Sequence, residues 1–349
     1  MSGNDNNSRN QGAPTINDVA ALAGVSKKTV SRYINNSPLM SEATRDKVSD
    51  AIKRLDYVPN PQARGLALRR NFMVAMLYDN PNAQTVLNFQ KGVLSAINDT
   101  ELALVVRPVD RTSPKLLDEV EAFLTKQRPL GVLILPPISE RDDIVKLCQR
   151  LDIHYIRLGS TALDEPARCV ASNDREIVRE MTAALLARGH KRVGFIRGPE
   201  GFRSPVEREA GYRDAFEAAG LQVDPELVVQ GNYRFDSGYE QGLALLGRDD
   251  RPSVIVASND EMASGVLRSA VSLGLAVPND VEVVGFDDTA TASHVWPPLT
   301  TVHWPTQEMG RLATTKLVPE YLGDWAKQID LDQVVVTSHI VERASAKLG

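Results

Sequence analysis

Cysteine is nearly absent from this sequence: Cys148 and Cys169 are the only two in 349 residues, and they stand apart without a paired spacing. That argues against a disulfide framework and a zinc site, and it fits a reducing compartment. Aromatics are sparse, at 5%. No apolar run approaches the roughly 18 residues of a membrane span, and Met1–Ala13 is polar, with no apolar stretch of the signal-peptide kind. A cytoplasmic protein with no membrane partner is therefore expected. The histidines (His154, His190, His294, His303 and His339) are scattered, and His190 reads as a structural residue beside a helix end. Also missing are a Gly-x-Ser-x-Gly elbow, a His-Glu-x-x-His pair, a phosphate loop ending in Gly-Lys-Ser/Thr and a Gly-x-Gly-x-x-Gly turn. Nothing asks for catalysis, so neither an enzyme nor a cofactor is expected.

What is present has the balance of a soluble globular chain, 42% hydrophobic and 24% charged, long enough for two or three domains. The net charge of −5 hides an asymmetry. Residues 1–70 carry 11 Lys/Arg against 6 Asp/Glu, while the remainder carries 29 against 39. A basic segment on an acidic body suggests one region built to meet phosphate. Charge alone equally fits a solvated basic surface, so the motifs within the segment decide.

Residues 1–14 are expected to form a disordered tail, having nothing to bury. Thr15-Ile16-Asn17-Asp18 then sets a hydroxyl at a helix N-cap with an acid three residues on. Ile16, Val19, Ala20 and Ala23 recur at helical spacing until Gly24, which enters a left-handed turn cheaply. Ser26 caps a second helix, Lys27–Asn35, with Val30 and Ile34 inward; Ser41 caps a third, Glu42–Leu55, with Val48, Ile52 and Leu55 inward. Two short helices joined by a Gly-containing turn describe a helix-turn-helix over residues 15–60. Its second helix offers Lys27, Lys28, Thr29, Ser31 and Arg32, donors suited to base edges and phosphates.

The run Thr15-Ile-Asn-Asp-Val-Ala-Ala-Leu-Ala-Gly-Val-Ser26, then Thr29-Val-Ser-Arg32, Ser41-Glu-Ala-Thr-Arg45 and Tyr57-Val-Pro-Asn60, resembles the head of the LacI/GalR family of bacterial repressors. The resemblance implies that Lys27, Lys28 and Arg32 approach bases in the major groove of a near-palindromic operator. It implies backbone contacts from Thr15, Ser26, Thr29, Ser31, Asn35, Ser41, Thr44 and Tyr57, which give register rather than sequence information. Ser26 and Ser41 would also serve as N-caps in any protein, and that reading stays open beside the first. Pro59-Asn60-Pro61 breaks the third helix, and residues 61–70 are too short to hold a helix alone in water. In the family this is the hinge, with Ala63 and Leu66 at the minor groove and Leu66 as the wedge. A plain linker whose Leu66 packs on the body is the other reading.

From Phe72 onward short β-branched runs alternate with amphipathic helices. Strands are expected at Met73–Tyr78, Ala103–Arg107, Gly131–Leu135, Tyr155–Leu158, Arg192–Ile196, Leu227–Gln230, Ser253–Ala257 and Val281–Gly285. Helices are expected, among others, at Gln84–Asn98, Asp142–Leu151, Arg175–Arg188, Arg208–Ala219 and Glu261–Leu273. The pattern predicts an α/β body, 71–349, of two parallel-sheet subdomains with ligand binding beyond the strands' carboxyl ends. The first would hold about 71–171 plus 304–331, and the second about 172–303 plus 332–349. Polar clusters sit at those ends: Asp79-Asn80-Pro81-Asn82, Gly198-Pro199, Ser258-Asn259-Asp260 and Gly285-Phe286-Asp287-Asp288. Asp260 and Asp288 also fit as helix N-caps; the convergence of four clusters on one cleft argues for more than caps.

The family resemblance continues through Gly189-His-Lys-Arg-Val-Gly194, Glu209-Ala-Gly-Tyr212, Ala257-Ser-Asn-Asp260, Gly285-Phe-Asp-Asp288, Pro297-Pro-Leu-Thr-Thr301 and Glu342-Arg-Ala-Ser345, and the body is similar to periplasmic sugar-binding proteins. It implies that Arg208, Asn259 and Asp287 hydrogen-bond a small-molecule effector, that Tyr233 faces a sugar's apolar side, and that Asp79, Asn82 and Gln84 close the other wall. Leu158-Gly159-Ser160 stands where sugar-responsive relatives often carry an acid, and Trp304 where Gln is frequent. Both departures suggest a more apolar or larger ligand, so a sugar or glycoside leads, with a purine, an organic acid or a phosphorylated metabolite as alternatives. A homodimer is expected, since two heads related by a two-fold read a near-palindrome, and no leucine-repeat tail follows Glu342. A transport-type binding protein would share the body but lack residues 15–70.

Overall fold

The computed structural model describes residues 14–34, 40–57, 71–80 and 82–349, and the chain divides into two units, Met1–Arg70 and Asn71–Gly349. The first unit begins where the Asp18 carboxylate reaches back to the Thr15 backbone N–H, at 2.8 Å, and to its hydroxyl, at 2.7 Å. This opens α1 (Ile16–Ala23), which Gly24 ends at φ 65°. α2 (Lys27–Ile34) and α3 (Glu42–Leu55) follow. Val19, Val30 and Val48 are wholly buried with Ala20 and Ala51 between them, so small side chains let three short helices meet closely. Ile34, Ile52 and Leu55, expected inward, are half-buried at the edge of this core.

The second unit holds two parallel sheets. β1 (Met73–Tyr78), β2 (Ala103–Pro108), β3 (Gly131–Ile134), β4 (His154–Gly159), β5 (Cys169–Ser172) and β11 (Val335–Val336) run in the order β11-β5-β4-β3-β1-β2. On β1, Val74 and Met76 face one cluster while Ala75 and Leu77 face another. A strand covered on both faces must be apolar throughout, which is why these strands read as unbroken apolar runs. The covering helices are α4 (Ala83–Ile97) on one side, and α5 (Leu116–Gln127) and α6 (Asp142–Arg150) on the other. β6 (Val193–Arg197), β7 (Val228–Gln230), β8 (Val254–Ala257) and β9 (Glu282–Val284) form the second sheet in the order β7-β6-β8-β9. It lies between α7 (Asp174–Ala187) with α8 (Arg203–Ala218), and α9 (Phe235–Leu246) with α10 (Asp260–Ser272), and the short α11 (Ala290–His294) follows β9.

The chain passes three times between the halves: after β5, between β10 (Thr301–His303) and α12 (Thr306–Leu317), and between β11 and β12 (His339–Val341). β10 and β12 pair antiparallel at the far edge of the second sheet, while α12 packs on the first half. Two expectations need correction. Residues 335–336, assigned with 332–349 to the second half, pair with β5 in the first sheet; a two-residue strand is too short to show a period. α8 begins at Arg203, not Arg208, with Pro205 in its first turn. Proline is tolerated there because the first N–H groups of a helix have no internal partner.

α4 and α12 cross so closely that their backbones touch. A Cβ on Gly92 would lie 1.9 Å from the Gln307 carbonyl oxygen, and one on Gly310 would lie 2.6 Å from that of Phe89. Because backbone cannot swing aside as a side chain can, Gly92→Ala should force the helices apart at a cost of about 1–3 kcal/mol. Urea unfolding should show a lower midpoint at unchanged slope, and an unaltered midpoint would contradict this crossing.

Candidate functional site

On the first unit, the side chains expected to read bases all lie on one helix, while those expected at the DNA backbone are spread over α1, α2 and α3. Lys27, Lys28 and Arg32 on α2 are exposed, and the first turn of α2 carries no acid. The positive end of the helix dipole and the two lysine charges therefore add rather than cancel. Ser26 Oγ accepts the Thr29 N–H at 3.1 Å and lies 2.9 Å from the Thr29 hydroxyl, so it does cap α2. Ser41 stands at the N-cap position of α3, but its hydroxyl meets that of Thr44 at 2.8 Å instead of a backbone N–H. Thr15, Ser26 and Ser41 are exposed, while Thr29, Ser31, Thr44 and Tyr57 are half-buried. Burial pushes the Tyr57 phenol above its ordinary pKa. Asn35, Ala63 and Leu66 lie outside the described residues.

On the second unit, loops at the carboxyl ends of both sheets border a cleft that is partly open to solvent. Of the expected contact residues, the cavity brings together Asn82, Arg208, Tyr233, Asn259, Asp287 and Trp304. Arg208 is 2% exposed. Its Nε donates to Asp174 at 2.8 Å, one Nη donates to the Ser258 carbonyl, and Asp287 lies 3.9 Å away. Its guanidinium lies 3.5 Å from the centre of the Phe286 ring and 5.4 Å from that of Trp304. With those N–H groups committed, the other Nη is the part of the fork left for a ligand. Asn259 accepts the Met262 N–H at 2.9 Å, as the N-cap of α10, and donates to the Tyr233 carbonyl at 3.0 Å. The Trp304 indole N–H is taken by Ser172, at 2.8 Å, so this residue offers a ring and no donor.

Two expected wall residues do not line the cavity. Asp79 turns to Arg111, accepting its backbone N–H at 3.1 Å with the guanidinium 3.6 Å away. The Gln84 amide donates to Asn88 at 2.9 Å and borders a neighbouring groove. Asn80, Thr85, Pro136 and Pro137 complete that wall, with Phe202 and Ser204 opposite; of these six only Asn80 was named beforehand, within the polar cluster after β1. Pro136-Pro137 carries no polar signature after β3, and beginning α8 at Arg208 hid the residues of its first turn. Asp174, which holds Arg208 from behind, was missed because its partner lies 34 positions away.

Asp260 and Asp288 serve the frame. Asp260 accepts the Thr301 hydroxyl at 2.6 Å, and the Thr289 N–H and hydroxyl at 2.7 and 2.9 Å. Burial nevertheless lifts its pKa to about 7. Asp288 holds His303 at 3.0 Å and Arg343 at 2.6 Å, and these hydrogen bonds lower its pKa. Asp287 is raised well above the ordinary carboxyl range by burial, against the pull of Arg208 and with the charges of Asp260 and Asp174 adding to the rise. The shift favours the neutral carboxyl, which can donate as well as accept. His190 contacts Ser253 at 2.8 Å and Glu282 at 3.3 Å, a structural setting.

A carboxyl whose folded pKa exceeds its unfolded value holds its proton more tightly in the native state. Its contribution to stability is therefore greatest in acid and is lost as pH rises from about 4 through the folded pKa. Asp287→Asn removes that loss, so the variant's stability relative to the native chain should increase steadily between pH 4 and pH 7 in urea titrations. A difference that stays constant with pH would refute the raised Asp287.

Residues 15–60 match the model of bacterial regulatory proteins of the lacI family, and residues 182–346 match that of a periplasmic binding protein-like domain. The chain is 35% identical over 341 residues to the HTH-type transcriptional regulator CelR of Thermobifida fusca, covering 95% of this chain and 98% of that one. A solved CelR–cellobiose complex superposes with a TM-score of 0.70 at 33% identity, covering 95% of this chain and 100% of that one. The lac repressor dimer bound to operator and an anti-inducer superposes with a TM-score of 0.78 at 25% identity, covering 96% and 99%.

Proposed function

We propose, on the premise that this chain belongs to the lacI family of bacterial regulatory proteins, that it is a repressor of carbohydrate-use genes governed by a sugar or glycoside. It is a DNA-binding transcription regulator and not an enzyme, as its relatives are. The finer reading rests above all on the cavity. Arg208, Asn259 and Asp287 supply directional hydrogen-bonding groups among the rings of Phe202, Tyr233 and Trp304. A pyranose has an apolar face and a hydroxyl rim, and a site of this composition suits both. The relative solved with cellobiose adds support from outside the chain.

At the DNA, Lys27, Lys28 and Arg32 read bases, and Thr15, Ser26, Thr29, Ser31, Asn35, Ser41, Thr44 and Tyr57 hold the backbone. Ala63 and Leu66 enter the minor groove. Two copies bind one near-palindromic operator, and the likeness to the lac repressor, itself solved as a dimer on its operator, supports that arrangement. Arg32 can engage guanine bidentately, whereas Thr44 touches phosphate. Arg32→Ala should thus lower the specific-to-nonspecific affinity ratio by about 1–3 kcal/mol. Thr44→Ala should weaken all duplexes alike. Equal losses from both variants in fluorescence anisotropy would remove Arg32 as a base reader.

For the effector, a thermal-shift panel of cellobiose, glucose, a purine base and an organic acid tests the ligand class. A ligand at about a hundred times its dissociation constant adds roughly 2.7 kcal/mol to the folded state. Asp287→Asn is the control, because it leaves the Arg208–Asp174 pair intact. A sugar shift that disappears in the variant supports the cavity as the site. A shift from the purine or the acid alone, or from none of the panel, rejects the sugar reading.

A further inference from the structure

Two loops of the first half meet the start of α8 across the cleft. From the first half come Arg111, after β2, and Glu140, at the end of a short 3-10 turn (Ile138–Glu140) after β3. From the second half come Phe202 and Arg203, where α8 begins. Both oxygens of the Glu140 carboxylate accept the Arg203 backbone N–H, at 3.0 and 3.1 Å. The Arg111 guanidinium lies 4.0 Å from the centre of the Phe202 ring. We propose that these two contacts form a latch between the halves, in which Glu140 caps α8 from across the cleft. The first turn of the helix that carries Ser204 and Arg208 is then fully satisfied only while the halves stay together. The latch is made of the chain's own groups whatever molecule the cleft takes, so its failure would leave the reading above untouched.

α8 needs a cap that its own sequence does not supply. The first N–H groups of a helix have no internal partner, and a Ser, Thr, Asp or Asn just before the helix commonly accepts one. Phe202 stands at that position, with extended backbone and no side-chain acceptor. Arg203 places a positive charge at the positive end of the helix dipole, and the first turn holds no acid to offset it. A carboxylate from elsewhere answers both deficits, and Glu140 brings one.

The first half holds both latch residues from behind. Asp79 accepts the Arg111 N–H at 3.1 Å, and Arg141 donates to the Arg111 carbonyl at 3.1 Å, so this backbone is pinned on both sides. Asp79 also lies 3.6 Å from the guanidinium and helps to aim it. Its turn away from the cleft wall thus serves the ring contact with Phe202, a cation over an aromatic face. Next to Glu140, the Ser139 carbonyl accepts from Arg157 Nε at 2.8 Å and the Ser139 hydroxyl donates to the Leu158 carbonyl. Burial raises the Glu140 pKa, against the pull of the Arg203 N–H and of the charges on Arg203, Arg111 and Arg157. Closure therefore costs this carboxylate part of its hydration, which offsets some of the gain and leaves the latch able to part.

Hydrogen exchange read by mass spectrometry on the full chain tests the latch, with Glu140→Ala, Glu140→Gln and Arg111→Ala beside the native protein. Local opening shows in exchange before global unfolding does. In Glu140→Ala the amides of residues 203–208, in the opposite half, should exchange about tenfold faster, while those of β1 and β8 stay unchanged. Arg111→Ala should loosen the same segment by about threefold. Glu140→Gln keeps an acceptor oxygen and should stay within about threefold of the native chain. Native exchange at 203–208 in Glu140→Ala, or loosening confined to residues 136–141, would overturn the cap. So would a glutamine variant as fast as the alanine one. If Glu140→Ala also loosens β1, Arg111→Ala decides alone, and native exchange at 203–208 in that variant would overturn the latch.

Discussion

The ion pair between Arg208 and Asp174 is the contact around which the ligand-binding half is arranged. Both side chains are almost fully withdrawn from water, and Nε meets the carboxylate at 2.8 Å. Such a pair need not add net stability, since desolvating two charges offsets most of their attraction. Loss of one partner, however, leaves a buried charge uncompensated, at a cost of about 3–5 kcal/mol. α7 and α8 are therefore fixed relative to each other through their charged residues as well as their apolar faces. Ser172 also donates to Asp174 and receives the Trp304 indole N–H. Two of the segments that cross between the halves are thereby tied to the same carboxylate that orients the guanidinium.

This arrangement explains why the cavity is lined by rings. A guanidinium in a water-poor site needs faces that tolerate its charge, and Phe286, Trp304 and Tyr233 supply them at 3.5, 5.4 and 6.0 Å. Asp287 lies 3.9 Å from the guanidinium, and burial raises its pKa.

The sequence disclosed some parts of this and not others, for physical reasons that can be named. The head was legible because capping, glycine turns and helical spacing are local: Thr15 with Asp18, Gly24, and Ser26 with Thr29 all lie within a few residues of one another. The long buried strands were legible from their unbroken apolar runs. β5 and β11 were not: β11 has only two residues, and β5, Cys-Val-Ala-Ser, holds a single β-branched residue. At the cavity, polar loop residues could be picked out one by one, yet which side chains turn inward depended on partners far away in sequence. Asp79 was claimed by Arg111, and the Trp304 indole by a serine 132 positions distant. Pro136, Pro137 and Phe202 gave no signal at all, since an apolar residue beside a polar site looks like any core residue.

The pairing of β11 with β5 has a consequence for how the chain comes to be folded. Val335 and Val336 form the edge of a sheet whose other strands end at Ser172, and Ser345 donates to the Val283 carbonyl within the second half. Both halves therefore wait for residues near the carboxyl end. A ribosome adding about 5–20 residues each second would release β11 many seconds after β5 had emerged. During that interval one edge of the first sheet carries unpaired backbone groups, a template for association with other chains. High contact order of this kind slows folding and lengthens the exposed stage. For this protein the vulnerable species is a nascent chain with an open sheet edge, closed only when Val335 and Val336 arrive.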